Sequence, residues 1–203
     1  MRPSLTTLLC TCLSLAIAAA ACDDSGESEN ENEVFTTVIL TFTPSGGGTP
    51  FVAMVNDPDG DGGGAPTIDP ITLSAGTFNL TVKFEDRLET PAEDITVEVM
   101  NESDQHQLFF TGTAVNGPAS NQTGAPLTQA YGDMDAKGLP LGLTNSVTAA
   151  KGTGTLTVTL RHLPPLNDKA VKVAGLAMMV RDGGFPAIGG NTDVQVSFPV
   201  TVQ

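Results

Sequence analysis

The stretch Gly154-Thr155-Leu156-Thr157-Val158-Thr159-Leu160-Arg161-His162 alternates apolar and polar side chains without a break. Successive side chains of a strand point to opposite faces. Leu156, Val158, Leu160 and His162 therefore share one face, and Thr157, Thr159 and Arg161 the other. This period of two reads as a half-buried strand, not a helix.

The same signal recurs along the chain. Residues 34–43 are rich in β-branched and aromatic side chains and stop at Pro44-Ser45-Gly46, a turn signal. Residues 77–84 put Phe78, Leu80, Val82 and Phe84 on one face, residues 107–115 read as a third strand, and residues 127–131 as a short fourth. Residues 171–180 are apolar enough for a buried strand, and residues 193–202 close the chain with Val194, Val196 and Phe198 in phase. Roughly seven or eight such strands, separated by Gly, Pro and Asn turns, predict a mainly β fold: a single antiparallel β-sandwich of immunoglobulin-like type over residues 34–203. One segment departs from this pattern. Thr90-Pro91-Ala92-Glu93 is a capping box with proline at the first helical position, which predicts a short helix near residues 91–103, although Ile95, Val97 and Val99 alternate like a strand.

The amino-terminal region has a different character. Met1-Arg2 is followed by an apolar run from Leu5 to Ala21 that is too short to span a bilayer and ends in small residues. Residues 1–21 read as a signal peptide, with cleavage between Ala21 and Cys22. The Ala19-Ala20-Ala21-Cys22 sequence looks like a lipobox, in which the cysteine becomes the acylated first residue, anchoring the chain to a membrane. Processing there removes Cys10 and Cys12, and a thioether on Cys22 removes the problem of an unpaired thiol in an oxidising compartment. Residues 22–33 hold six acidic side chains, no basic ones and no large apolar group, so they read as a flexible, charge-extended tether.

The whole chain carries a net charge of −14. Residues 34–203 hold eight basic and seventeen acidic side chains, a balance of −9. Phosphate binding needs basic patches, so nucleic acid is excluded as a partner class, while an acidic domain attracts cations. Tryptophan is absent and Tyr131 is the only tyrosine, which argues against an aromatic platform for sugars.

Two sets of residues are candidate cation ligands. Asp57, Asp59 and Asp61 followed by Gly62 match the front of a calcium loop, where oxygen ligands at alternate positions wrap a hard cation. The back half does not match, because Ile68 stands where a bidentate glutamate is required, and the same residues suit a solvated Asp/Gly turn. A second acidic loop, Asp133 and Asp135, has Lys137 at the next ligand position and fits a polar turn better. The only two histidines form the other set. His106 has the parity of Leu108 and Phe110, and His162 that of Leu160, so both imidazoles point to the inner face near strand ends. On adjacent strands they can hold a transition metal with a carboxylate completing the set, whereas a histidine on an apolar face also serves as a hydrogen-bonded core residue. No nucleophile elbow, zinc-protease helix, P-loop or dinucleotide fingerprint occurs, so the chain reads as non-enzymatic.

Several phrases in order, Asp57-Pro-Asp59-Gly-Asp61-Gly62, residues 89–96, His106-Gln-Leu-Phe-Phe110, residues 154–162 and Asn191-Thr-Asp193-Val-Gln-Val196, resemble a family of uncharacterised bacterial lipoproteins frequent in Bacteroidota. Some members carry the label of a type 1 periplasmic binding fold, which needs two α/β lobes and a longer chain than this one. The resemblance implies a lipid anchor with an acidic run behind it and implies no particular activity.

Together these readings predict a cell-envelope lipoprotein, outer-membrane in type, that binds a small ligand or metal ion through loops of a β-sandwich. The alternative is a structural or adhesive module contacting another envelope protein. Mass spectrometry of the membrane fraction is expected to find Cys22 as an acylated amino terminus; an unmodified Cys22 contradicts the anchor.

Overall fold

The computed structural model describes residues 34–203 except 61, 168 and 170. The expected signal peptide and acidic tether, with Cys22, and Asp61 therefore lie outside the described residues. In chain order the strands are β1 (Thr37–Pro44), β2 (Phe51–Asn56), β3 (Thr67–Ile68), β4 (Ile71–Leu73), β5 (Gly76–Glu85), β6 (His106–Thr111), β7 (Val115–Gly117), β8 (Ser120–Asn121), β9 (Leu127–Tyr131), β10 (Thr144–Ala149), β11 (Gly152–His162) and β12 (Asn191–Val202). Two helices, α1 (Thr96–Asn101) and α2 (Leu176–Gly183), interrupt them.

The strands form two sheets. One runs β3-β2-β1-β5-β10-β9-β7-β8 and the other β4-β12-β11-β6. Alternation explains their packing. Val38, Leu40 and Phe42 face Phe84, Val82 and Leu80 across the β1–β5 ladder. Leu160 and Val158 face Leu108 and Phe110 across β11–β6. All of these belong to one buried cluster that draws on both sheets. Burying side chains of this size contributes about 1.5–3 kcal/mol each, the main force holding the layers together.

The mainly β, two-layer expectation holds. Most pairings are antiparallel, but β4–β12 and β7–β9 are parallel. Sheets of eight and four strands exceed the roughly seven to nine strands of the immunoglobulin arrangement, so the plain two-sheet description is what the topology establishes.

Three segments differ from the sequence reading. Residues 171–180 do not form a strand; Leu176, Ala177 and Val180 are buried on one side of α2 while Met178 and Met179 are exposed. Gly175, at φ 85°, breaks the apolar run and starts the helix, which covers Phe109 on the outer face of the smaller sheet. The helix near 91–103 begins at Thr96 and is shorter than the capping box implies. Glu93 is bridged to Asp86, and the helix packs by Ile95 and Val99, one turn apart. The strand predicted over residues 107–115 ends at Thr111, because Gly112 (φ 96°) turns the chain so close to the Thr155 carbonyl that any Cβ would collide with it.

Candidate metal centre

His106 opens β6 and His162 closes β11, and the antiparallel register sets them directly opposite one another. Both continue the inner-face row of Leu108, Phe110, Val158 and Leu160. The rings stack with centroids 4.7 Å apart and planes 11° apart. His106 is 1% exposed and His162 9%. The pairing expected from parity is what the structure contains.

Two carboxylates that the sequence reading did not assign approach the rings: Glu102 joins both, and Asp193 lies beside His106. Glu102 follows α1, and its backbone carbonyl accepts a hydrogen bond from His106 Nδ1 at 3.2 Å. Its Oε2 lies 4.0 Å from His106 Nδ1 and 4.0 Å from His162 Nε2. Among the described residues, Glu102, His106 and His162 are the group whose ligand atoms come within 4.8 Å of one another. A local signal was present, since Glu102 and His106 stand four residues apart across a turn.

Asp193 arrives by a different route. The β11–β12 ladder pairs Leu160 with Val194 and then Arg161 with Thr192, so Asp193 is an extra residue in a β-bulge. Strict alternation would turn it outward with Gln195 and Ser197. A bulge re-aims the side chains beside it. Asp193 Oδ2 lies 3.7 Å from His106 Nε2, its side chain is 10% exposed, and Oδ2 has no hydrogen-bond partner.

These positions set the protonation states. Burial, with repulsion from the His162 imidazole, pushes His106 down to about 4. Burial pushes the Asp193 carboxyl up to about 6, against the pull of Arg161 and with the Glu102 charge adding to the rise. The cluster thus joins a neutral imidazole to a carboxylate whose ionisation is penalised by its surroundings. A bound cation would remove that penalty.

A buried lysine braces the turn that carries Glu102. Lys172 Nζ donates to the Ser103 carbonyl at 2.6 Å and pairs with Asp135 Oδ2 at 3.0 Å, with both side chains fully buried. Burial opposes ionisation of Asp135, but the Leu139 and Lys137 amides and Lys172 outweigh it and hold the carboxyl below its ordinary value. Deleting either partner would strand the other charge, at a cost of about 3–5 kcal/mol.

The acidic loops lie apart from this cluster. Asp133 accepts the amides of Gly142 and Thr144, and Asp135 those of Lys137 and Leu139 besides its ion pair, so this second loop is a hydrogen-bonded brace. Asp59 Oδ2 accepts the Gly64 amide, five residues on, at 3.0 Å. Asp57 takes its backbone partner from Thr36 instead, and its Oδ1 is buried without a partner. Neither Asp57 nor Asp59 joins the described ligand cluster. On the opposite face of β6 from the histidines, a cavity of about 350 Å³ opens between α2 and Tyr131. No described helix is long and apolar enough to cross a membrane. No protein-family model, curated protein or solved structure matches this chain.

The folded-state value of about 6 for Asp193 lies above its ordinary 3.8. The resulting penalty is absent below about pH 4 and complete above about pH 6. His106, held at about 4 against an ordinary 6.5, loses stability as pH falls through that window in wild type and variant alike. In metal-free protein, Asp193→Asn is therefore expected to raise stability at pH 7 by about 1–3 kcal/mol, with the gain disappearing toward pH 4. Urea unfolding at the two pH values measures it; an equal gain at both contradicts the assignment.

Proposed function

We propose that this protein is a non-enzymatic, lipid-anchored lipoprotein of the cell envelope that captures a transition-metal ion, with zinc as the type case. The observation that carries the reading is the buried cross-strand pair of His106 and His162 with Glu102 beside both rings. Imidazole nitrogens with carboxylate oxygens suit a borderline ion such as zinc, whereas calcium takes oxygen ligands alone. The neutral state of His106 supports it further, because only the unprotonated ring offers a lone pair.

Second-sphere support is also present. A ligating histidine commonly donates its other ring N–H to a carbonyl, fixing tautomer and orientation. His106 does so to Glu102. Rings stacked in nearly parallel planes cannot aim both lone pairs at one ion, so binding requires one imidazole to turn about its Cβ–Cγ bond. Glu102, with its side chain 49% exposed, gives the ion its way in from water. The acidic balance of the domain raises cation concentration near that opening. Anchoring through Cys22, the expectation from the sequence, would hold this site at the membrane surface.

Isothermal titration of the mature protein with zinc at pH 7 is expected to give one ion per chain, and separate His106→Ala and His162→Ala variants to lose affinity by at least about a hundredfold. Asp57→Ala is expected to bind as the wild type does. Wild-type protein that takes up no zinc at micromolar concentration, or histidine variants with unchanged affinity, would defeat the proposal.

A further inference from the structure

We infer that Asp193 is the fourth protein ligand of this centre, closing the coordination shell so that the site holds an ion and leaves no position for an activated water. The inference rests on the metal-binding reading above and deepens it. Four protein ligands mark zinc sites that retain their ion, while sites that do chemistry keep one position open.

A carbonyl only accepts hydrogen bonds, so His106 Nδ1 is the nitrogen that carries a proton, toward the Glu102 carbonyl. Nε2 is then the nitrogen left to ligate an ion. It faces Asp193 Oδ2 at 3.7 Å, another acceptor, and that oxygen is buried with no donor. Two acceptors turned toward each other in a buried place are unfavourable unless a proton or a cation lies between them, and titration with zinc and cobalt separates the two. Their separation is also close to what an ion needs, since two ligands on a tetrahedral zinc with bonds near 2.1 Å stand about 3.4 Å apart.

The backbone has been shaped to make this contact. Without the bulge, Asp193 would sit opposite Arg161 on the outer face of the sheet. That face already occupies the arginine: Arg161 donates to Thr192 Oγ1 and to the carbonyls of Gly189 and Gly190, and lies over the Phe185 ring. Arg161 makes no hydrogen bond to Asp193 among the described contacts; its Nε is buried without a partner and its charge still acts on the carboxylate, whose Oδ2 lies on the histidine side. The competing role is an outer-sphere one, in which Asp193 accepts from an Nε2–H while the ion sits at Nδ1 with Glu102. The Nδ1 bond to the Glu102 carbonyl opposes that arrangement.

Asp193→Asn separates the two roles. Zinc titration of the variant is expected to show a loss of at least about a hundredfold, the upper end of what losing an outer-sphere partner costs. Cobalt(II) substitution reports geometry directly. The wild-type protein is expected to show the intense visible bands of a four-coordinate ion, and the variant the weaker, shifted spectrum of an ion that has taken up water. Urea unfolding of the metal-free variant verifies that it is folded. An unchanged cobalt spectrum in folded Asp193→Asn overturns the inference while leaving the metal-binding reading intact. Failure of the wild type to bind either ion overturns both.

Discussion

The antiparallel register between β6 and β11 governs everything proposed for this molecule. Side chains alternate with a period of two, so a slip of one residue would send every inward group outward and separate the two imidazoles. The register is held on both faces. Leu108 and Phe110 pair with Leu160 and Val158 in the shared core, while Phe109 is buried under α2 on the other side. A histidine pair at the end of such a ladder inherits its precision from hydrophobic packing several residues away.

Local distortion then adds what regular structure cannot. One extra residue in β12 turns Asp193 toward His106, and a short helix ends so that Glu102 lies beside both rings. The buried ion pair of Lys172 and Asp135 ties the turn after Glu102 to the 133–139 loop. Such a pair is weak evidence for net stability, because desolvating two charges offsets most of their attraction. Its value here is positional: it limits the motion of the one ligand that reaches solvent. Three of the four groups are largely buried and the Glu102 side chain is half exposed, a division suited to admitting an ion and then holding it.

The sequence was most legible where alternation is strict. The strands at residues 127–131, 77–84, 154–162 and 193–202 are present with small changes of boundary, and the inward parity of both histidines is correct. Residues 51–56 and 144–149 form strands that the pattern did not reveal, since Asn, Ser, Ala and Met weaken the contrast between faces. Residues 171–180 are apolar at almost every position, and such a run fits strand and helix periods alike; Gly175 was the clue that divided it. The shared face of the histidines was readable because it follows from counting. Asp193 was not, because a bulge breaks the counting rule, and Glu102 was signalled only by its four-residue spacing to His106, because its approach depends on where α1 stops. The loop of Asp133 and Asp135 was legible as a polar turn, since both side chains accept nearby amides, and Asp59 likewise accepts the Gly64 amide.

The proposed capture of zinc makes one structural demand above the rest, namely that imidazole nitrogens and carboxylate oxygens meet at a single ion. X-ray absorption at the zinc edge of the metal-loaded protein tests it most directly. The account predicts a four-coordinate shell at about 2.0–2.1 Å, with outer-shell scattering from two imidazole rings. A shell of oxygen alone, or one with six ligands, would contradict it.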